Sequence, residues 1–277
     1  MLWFRRSADA MRWIADEGAA MHADVRQRLG DCDGDAIVLA GATGRVGAAT
    51  LTALVSEGAR VVVLSRDESR ARSAITTALD PEARDRAVPF SADLNEPSQA
   101  DRAIAFTLER LGRVDAVVNL AGSGFGQIAL ERSSIDDLRK NLRAFVETAY
   151  NLTAAALRAM LAQPYRDGAR SRGRIVTVTA GSSKDPAPGR ALFGAAKAAV
   201  DTLMLGVARD HKSEGIVANA LVLGGVAFDG AQEFYSPEDF RAAATPEEVA
   251  DVLSFLAADR SSGINGALVD LNAREVD

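Results

Sequence analysis

Gly173-Arg174-Ile175-Val176-Thr177-Val178-Thr179-Ala180 decides the fold. This mostly apolar, β-branched run reads as a strand buried on both faces of a parallel sheet. A loop separates it from Phe193-Gly194-Ala195-Ala196-Lys197-Ala198-Ala199-Val200, whose small residues predict a helix. The same alternation recurs on either side. Upstream, the runs Ala36–Ala40, Arg60–Arg66, Val88–Leu94 and Asp115–Gly122 read as short buried strands and their exits. Downstream, Ile216–Gly225 and Ala267–Leu271 do the same. Helical stretches separate them, and this order predicts one doubly wound α/β domain of about seven parallel strands.

Working outward, Gly41-Ala42-Thr43-Gly44-Arg45-Val46-Gly47 lies between the first strand and a helical stretch from Ala48 to Glu57. A glycine turn in that place lets backbone N–H groups approach a pyrophosphate at the positive end of the helix. The other reading is a tight turn that binds nothing. The second strand ends Ser65-Arg66-Asp67. An acid closing this strand would hold the ribose 2′-hydroxyl of NAD, whereas an arginine accommodates the 2′-phosphate of NADP. Arg66 therefore points to NADP(H), if a dinucleotide binds at all; the alternative is an exposed arginine opening a solvated helix. Thr245-Pro246-Glu247-Glu248 is a helix start, with Thr as N-cap, Pro in the first position and acids in the first turn.

Of 277 residues, 48% are hydrophobic and 25% charged, the balance of a soluble globular protein. The net charge of −6 speaks against a nucleic-acid partner, which would need a basic face. One cysteine, Cys32, excludes an internal disulfide. With no apolar core after Arg5 and Arg6 to form an export signal, the expected setting is the cytoplasm. No apolar run approaches the ~20 residues that span a bilayer, and no metal site is assigned. Residues 2–29 read as one amphipathic helix, with Phe4, Met11, Ile14, Gly18, Met21 and Val25 at helical spacing and both tryptophans, Trp3 and Trp13, beside them. It either folds back on its own domain or serves as an interface; a mixed-charge polar face makes a membrane-surface role the weaker reading. A polar linker follows, which divides the chain into an N-terminal helix and linker over 1–34 and a main domain over 35–277.

The segment 173–200 resembles the catalytic segment of the short-chain dehydrogenase/reductase family. In that family the strand ends in a serine, and a Tyr-x-x-x-Lys motif opens the helix thirteen residues later. Here Lys197 stands in the lysine position, Phe193 in the tyrosine position and Ala180 in the serine position. The resemblance runs unbroken from residue 36 to about 272. The glycine loop is similar to that of extended and atypical members, with Arg45 where the commoner form has its middle glycine. Asp93-Leu94 resembles the pair that contacts adenine. Asn119-Leu120-Ala121-Gly122 resembles the Asn-Asn-Ala-Gly beside the nicotinamide ribose. Lys140-Asn141-Leu142 is similar to the setting of the catalytic asparagine, which kinks its helix and holds a water linked to the lysine. The resemblance implies a Rossmann-type sheet and cofactor contacts from Gly41, Gly44, Arg45, Gly47, Arg66, Asp93, Asn119, Ala121, Gly122 and Lys197, with Arg45 near Arg66 at the 2′-phosphate. It further implies that Asn141 and Lys197 are the retained catalytic positions.

In working members the tyrosine hydroxyl gives its proton to the carbonyl, the lysine lowers the tyrosine pKa and holds the ribose, and the serine bonds the substrate oxygen. Phenylalanine has no such proton and alanine no hydroxyl. A positioned acid contributes ~10²–10⁴ in rate and an oxyanion donor ~10²–10³. Ser182, Ser183 and Tyr235, the last in the short lid segment Val226–Ala244, are the candidates for rescue. Three readings stay open: a non-catalytic subunit supporting an active relative or another partner; an NADP-linked oxidoreductase, lyase or cyclase using other groups; and a nucleotide-sensing regulator. The long helix from Ser134 to Ala162 pairs with its twin across a dimer interface in the family, so a homo-oligomer, or a hetero-oligomer with an active relative, is expected.

Overall fold

A computed structural model of the chain describes residues 32–122, 127–228 and 243–271. The chain divides into two units, 1–31 and 32–277, and only the second is described. The expected N-terminal helix and Tyr235 lie outside the described residues.

Seven strands form one sheet: β1 (Ala36–Ala40), β2 (Arg60–Ser65), β3 (Ala87–Ser91), β4 (Ala116–Asn119), β5 (Gly173–Ala180), β6 (Ile216–Leu223) and β7 (Leu268–Leu271). Their order is β3-β2-β1-β4-β5-β6-β7, and every pairing is parallel. The helices are α1 (Arg45–Ser56), α2 (Glu68–Ala78), α3 (Pro97–Leu111), α4 (Ile135–Asn141), α5 (Thr148–Ala162), α6 (Ala191–Asp210) and α7 (Pro246–Ala257). A π-turn, Leu142–Glu147, joins α4 to α5, so the expected long helix is present with a distortion directly after Asn141.

The strands divide their side chains between two cores. Ile37 and Leu39 of β1 enter the one beneath α1, α2 and α7; Val62 and Leu64 of β2 enter the other, beneath α3, α5 and α6. That two-sided burial is why the strands read as continuous apolar runs. Helix starts follow local chemistry. Ser134 with Asp137, and Thr245 with Glu248, form reciprocal capping boxes at α4 and α7. Helix α1 begins three residues earlier than the expected Ala48, because Gly44 is its N-cap. Helix α6 corrects the expectation that no segment is long and apolar enough to cross a bilayer: its 20 residues pass on length and composition. Its buried face, which includes Leu192, Met204 and Val207, packs as a core helix against β5 and β6.

The polar stretch expected to be a linker is partly built into the fold. Cys32 and Asp35 are buried. Asp35 accepts from Arg174 Nη2 at 2.7 Å and from Arg166 Nη1. Arg174, itself buried, also donates to Ala257 O, Ser171 Oγ and Asp259 Oδ1. Burial pushes the Asp35 carboxyl above its usual range even though Arg174 draws it down. This network closes the edge of the sheet where the strands begin. The strand order puts the switch point at β1, which has β2, next in sequence, on one side and β4 on the other. The crevice at that switch point, outside the carboxyl ends of the strands, is where such sheets bind ligands.

Candidate active site

Gly41 follows β1 with φ +94°, and a Cβ there would stand 2.8 Å from the backbone carbonyl carbon of Leu120. Only glycine lets the first loop cross the end of β4 so closely. Gly44 caps α1 with extended backbone and no side-chain cap, so no capping side chain takes the first-turn amides of α1. A Cβ on Gly44 would meet only Gly41 O, at 3.6 Å, so the Cβ position of Gly44 itself is uncrowded. Arg45, the first residue of α1, lays its guanidinium carbon 4.1 Å from the centre of the Phe228 ring.

Arg66 is exposed at the end of β2. Its neighbour Asp67 is occupied in capping α2: Oδ1 accepts from Ser69 N at 2.8 Å, and that bonding holds its carboxyl below the usual range. Phe228 follows β6, while β2 lies on the far side of β1. The Arg45 guanidinium is thus engaged with the Phe228 ring, while Arg66 stays exposed. Asp93 accepts from Asn95 N at 3.0 Å and from Asn95 Nδ2 at 2.9 Å. Asn119 is buried, and its Oδ1 accepts from Ala121 N at 2.9 Å, which fixes the turn through Ala121 and Gly122.

The remaining expected residues meet where β5 ends and α6 begins. Phe193 is buried edge-on against Phe145, their ring centres 5.2 Å apart. Ala180 packs against the same small cluster. Gly122, with φ +139°, lies flat against the Phe145 ring, where any side chain would clash. The Lys197 ammonium sits 4.5 Å from the Phe145 ring centre and 5.8 Å from that of Phe193, and donates to Val178 O at 3.0 Å. Burial pulls its pKa down to about 8, against a smaller upward pull from Asp201. Asn141 ends α4; its Nδ2 donates to Asp137 O at 2.9 Å and its Oδ1 is buried without a partner. Thr179 is buried too, its Oγ1 likewise unpartnered, while Ser182 and Ser183 form a tight turn after β5.

Residues 35–239 match the short chain dehydrogenase family. The chain belongs to that family. Across 227 residues it is 29% identical to a 3-oxoacyl-[acyl-carrier-protein] reductase of Synechocystis sp., covering 80% of this chain and 88% of the relative. It is 30% identical over 248 residues to the meso-2,3-butanediol dehydrogenase of Serratia marcescens, covering 87% and 94%. In fold it is similar to a short-chain dehydrogenase/reductase from Brucella melitensis, with a TM-score of 0.74, 22% identity and coverage of 87% and 96%. By family it is thus an oxidoreductase, and these distant relatives are named as reductases and dehydrogenases.

The dehydrogenase family works with NAD(P)H, and the open helix end at Gly44 and the unpartnered Asn141 Oδ1 fit such a group. Bound there, it would supply hydride. Gly41, Gly44 and Gly47 would hold its phosphates and Lys197 its ribose. Two residues escaped the reading of the sequence. Phe145 lies one helical turn after Asn141, as Phe193 lies one turn before Lys197, and that shared spacing was the available signal. Phe228 had none, because nothing local ties a residue after β6 to one after β1.

Proposed function

We propose that this chain is a short-chain dehydrogenase-type subunit that keeps a nucleotide groove, has lost ordinary carbonyl reduction, and works in assembly with a second copy or an active relative. One observation carries this reading. At the place where the family presents two hydroxyls to the substrate oxygen, Phe193, Phe145 and Ala180 form an apolar cluster around Lys197. The ammonium remains and the groups that would transfer or share the carbonyl's proton are absent from it. NADP(H) is the nucleotide favoured by Arg66. A cytoplasmic setting suits a single, buried cysteine.

The test is the double substitution Ala180→Ser with Phe193→Tyr. Purified wild type, NADPH and a panel of carbonyl compounds should give no turnover, while the double variant should gain it. Wild-type turnover at ordinary rates of ~1–10³ per second would overturn the reading. It would favour instead an NADP-linked oxidoreductase, lyase or cyclase using other groups. That second reading is supported by the activities named for the relatives and by a lysine pulled to about 8, close enough to neutrality to exchange protons.

A further inference from the structure

Arg45 and Phe228 come from opposite parts of the sheet. Arg45 opens α1 directly beyond β1, and Phe228 lies five positions past Leu223, the end of β6. In the sheet, β4 and β5 stand between β1 and β6. Three strand spacings separate β1 from β6, roughly 14 Å. A guanidinium 4.1 Å from a ring centre across that span is a bridge over the carboxyl ends of two strands. The chain behind Phe228 is pinned: Ala227 N donates to Ala244 O at 2.8 Å, Ala244 N to Gly225 O at 3.2 Å, and Val226 pairs with Ala244. The ring is therefore held in place from below, and the arginine is the arm that reaches it.

We infer that the Arg45–Phe228 stack is a latch across the crevice at the switch point, which must part before a dinucleotide diphosphate can settle on the first-turn amides of α1. This rests on the reading that the groove takes a dinucleotide. Arg45 is the first residue of this uncapped helix, so a phosphate arriving at the helix end would come within reach of its guanidinium and be a better partner than an aromatic face. Opening exchanges the stack for an ion pair, so the latch lowers affinity for every dinucleotide while admitting only ligands that bring phosphate. A chain carrying glycine in place of Arg45 would have no arm to reach across.

The experiment is calorimetric titration of NADPH and of NADH into wild type, Phe228→Ala, Phe228→Tyr and Phe228→Leu, with melting curves to show that each is folded. An exposed cation–π contact is worth enough to make Phe228→Ala bind about twofold to fivefold tighter than wild type. Phe228→Tyr keeps the stack and should bind as wild type does. Phe228→Leu removes the ring, keeps apolar bulk and leaves Arg45 free to pair with phosphate, so it should also bind tighter, which keeps the test intact should Phe228→Ala fail to fold. Equal affinity in all four overturns the latch and leaves the nucleotide reading standing. Weaker binding by Phe228→Ala also overturns it, by making the ring part of the ligand's platform. No binding by any of the four overturns both.

Discussion

Lys197 is the residue on which the chemistry and the stability of this chain meet. It is buried, donates to one carbonyl, and rests against two rings. Asp201, one turn further along α6, is also buried, and its Oδ1 has no hydrogen-bond partner. In the unfolded chain a lysine keeps its proton to roughly pH 10.4; in the fold burial pulls the pKa to about 8. Between those values the unfolded chain binds more protons than the folded one, so the contribution of this position to stability rises with pH. Lys197→Met has no amine to titrate. Urea unfolding of both proteins should show the wild type gaining on the variant by a few kcal/mol from about pH 7 to about pH 10. A difference between them that stays flat would mean that the ammonium is hydrated or firmly paired. Of the two rings beside this amine, Phe193 also stands in the tyrosine position of the family's motif, while Phe145 comes from the π-turn after α4.

At the scale of elements, the proposed choice of nucleotide rests on the end of β2. Asp67 would be the acid that favours NAD, but it is spent on capping α2 and held by Ser69. Arg66 is exposed beside it without that duty. NADPH is therefore expected to bind more than about tenfold tighter than NADH, some 1.4 kcal/mol, and Arg66→Ala to erase the difference; equal affinities in the wild type would reject the assignment. These elements were legible in the sequence because strands buried on both faces give unbroken apolar runs and caps are local. Thr245 and Ser134 announce their helices from side chains three residues apart. The start of α1 was misplaced because Gly44 caps through its backbone, which leaves no side-chain signature. The contact of Arg45 with Phe228 was hidden for a different reason: the two are 183 positions apart, and no local pattern links them. The lining of Lys197 falls between these cases, since Phe193 is local to it and Phe145 is not.

For the whole molecule, the two edges of the sheet have separate tasks. Where the strands begin, Arg174 ties Asp35, Ser171, Ala257 and Asp259 together and closes that end. Where they end lie the tight turns at Gly41 and Gly122, the place at which the proposed nucleotide would bind. A third surface belongs to neither. Between the α4–α5 rod and α6 runs a groove of ≈ 530 Å³, lined by Val146, Tyr150, Ala199, Leu203, Gly206 and Val207 among others. Tyr150 is 57% exposed there. The proposed assembly, with a second copy or an active relative, would close this surface, and Gly206 allows a clean test. A Cβ at that position would meet nothing within 4 Å, so a larger side chain fits the lone subunit without strain. Leucine is also a better helix former than glycine by about 1 kcal/mol. Gly206→Leu should therefore melt no lower than the wild type, yet fill the groove into which a partner helix would press. Sedimentation velocity should show the wild type associated and Gly206→Leu monomeric, with pull-down of a co-expressed active relative lost in the same variant. A wild type that sediments as a monomer and captures no relative, or a variant that assembles as the wild type does, would remove this surface from the proposal.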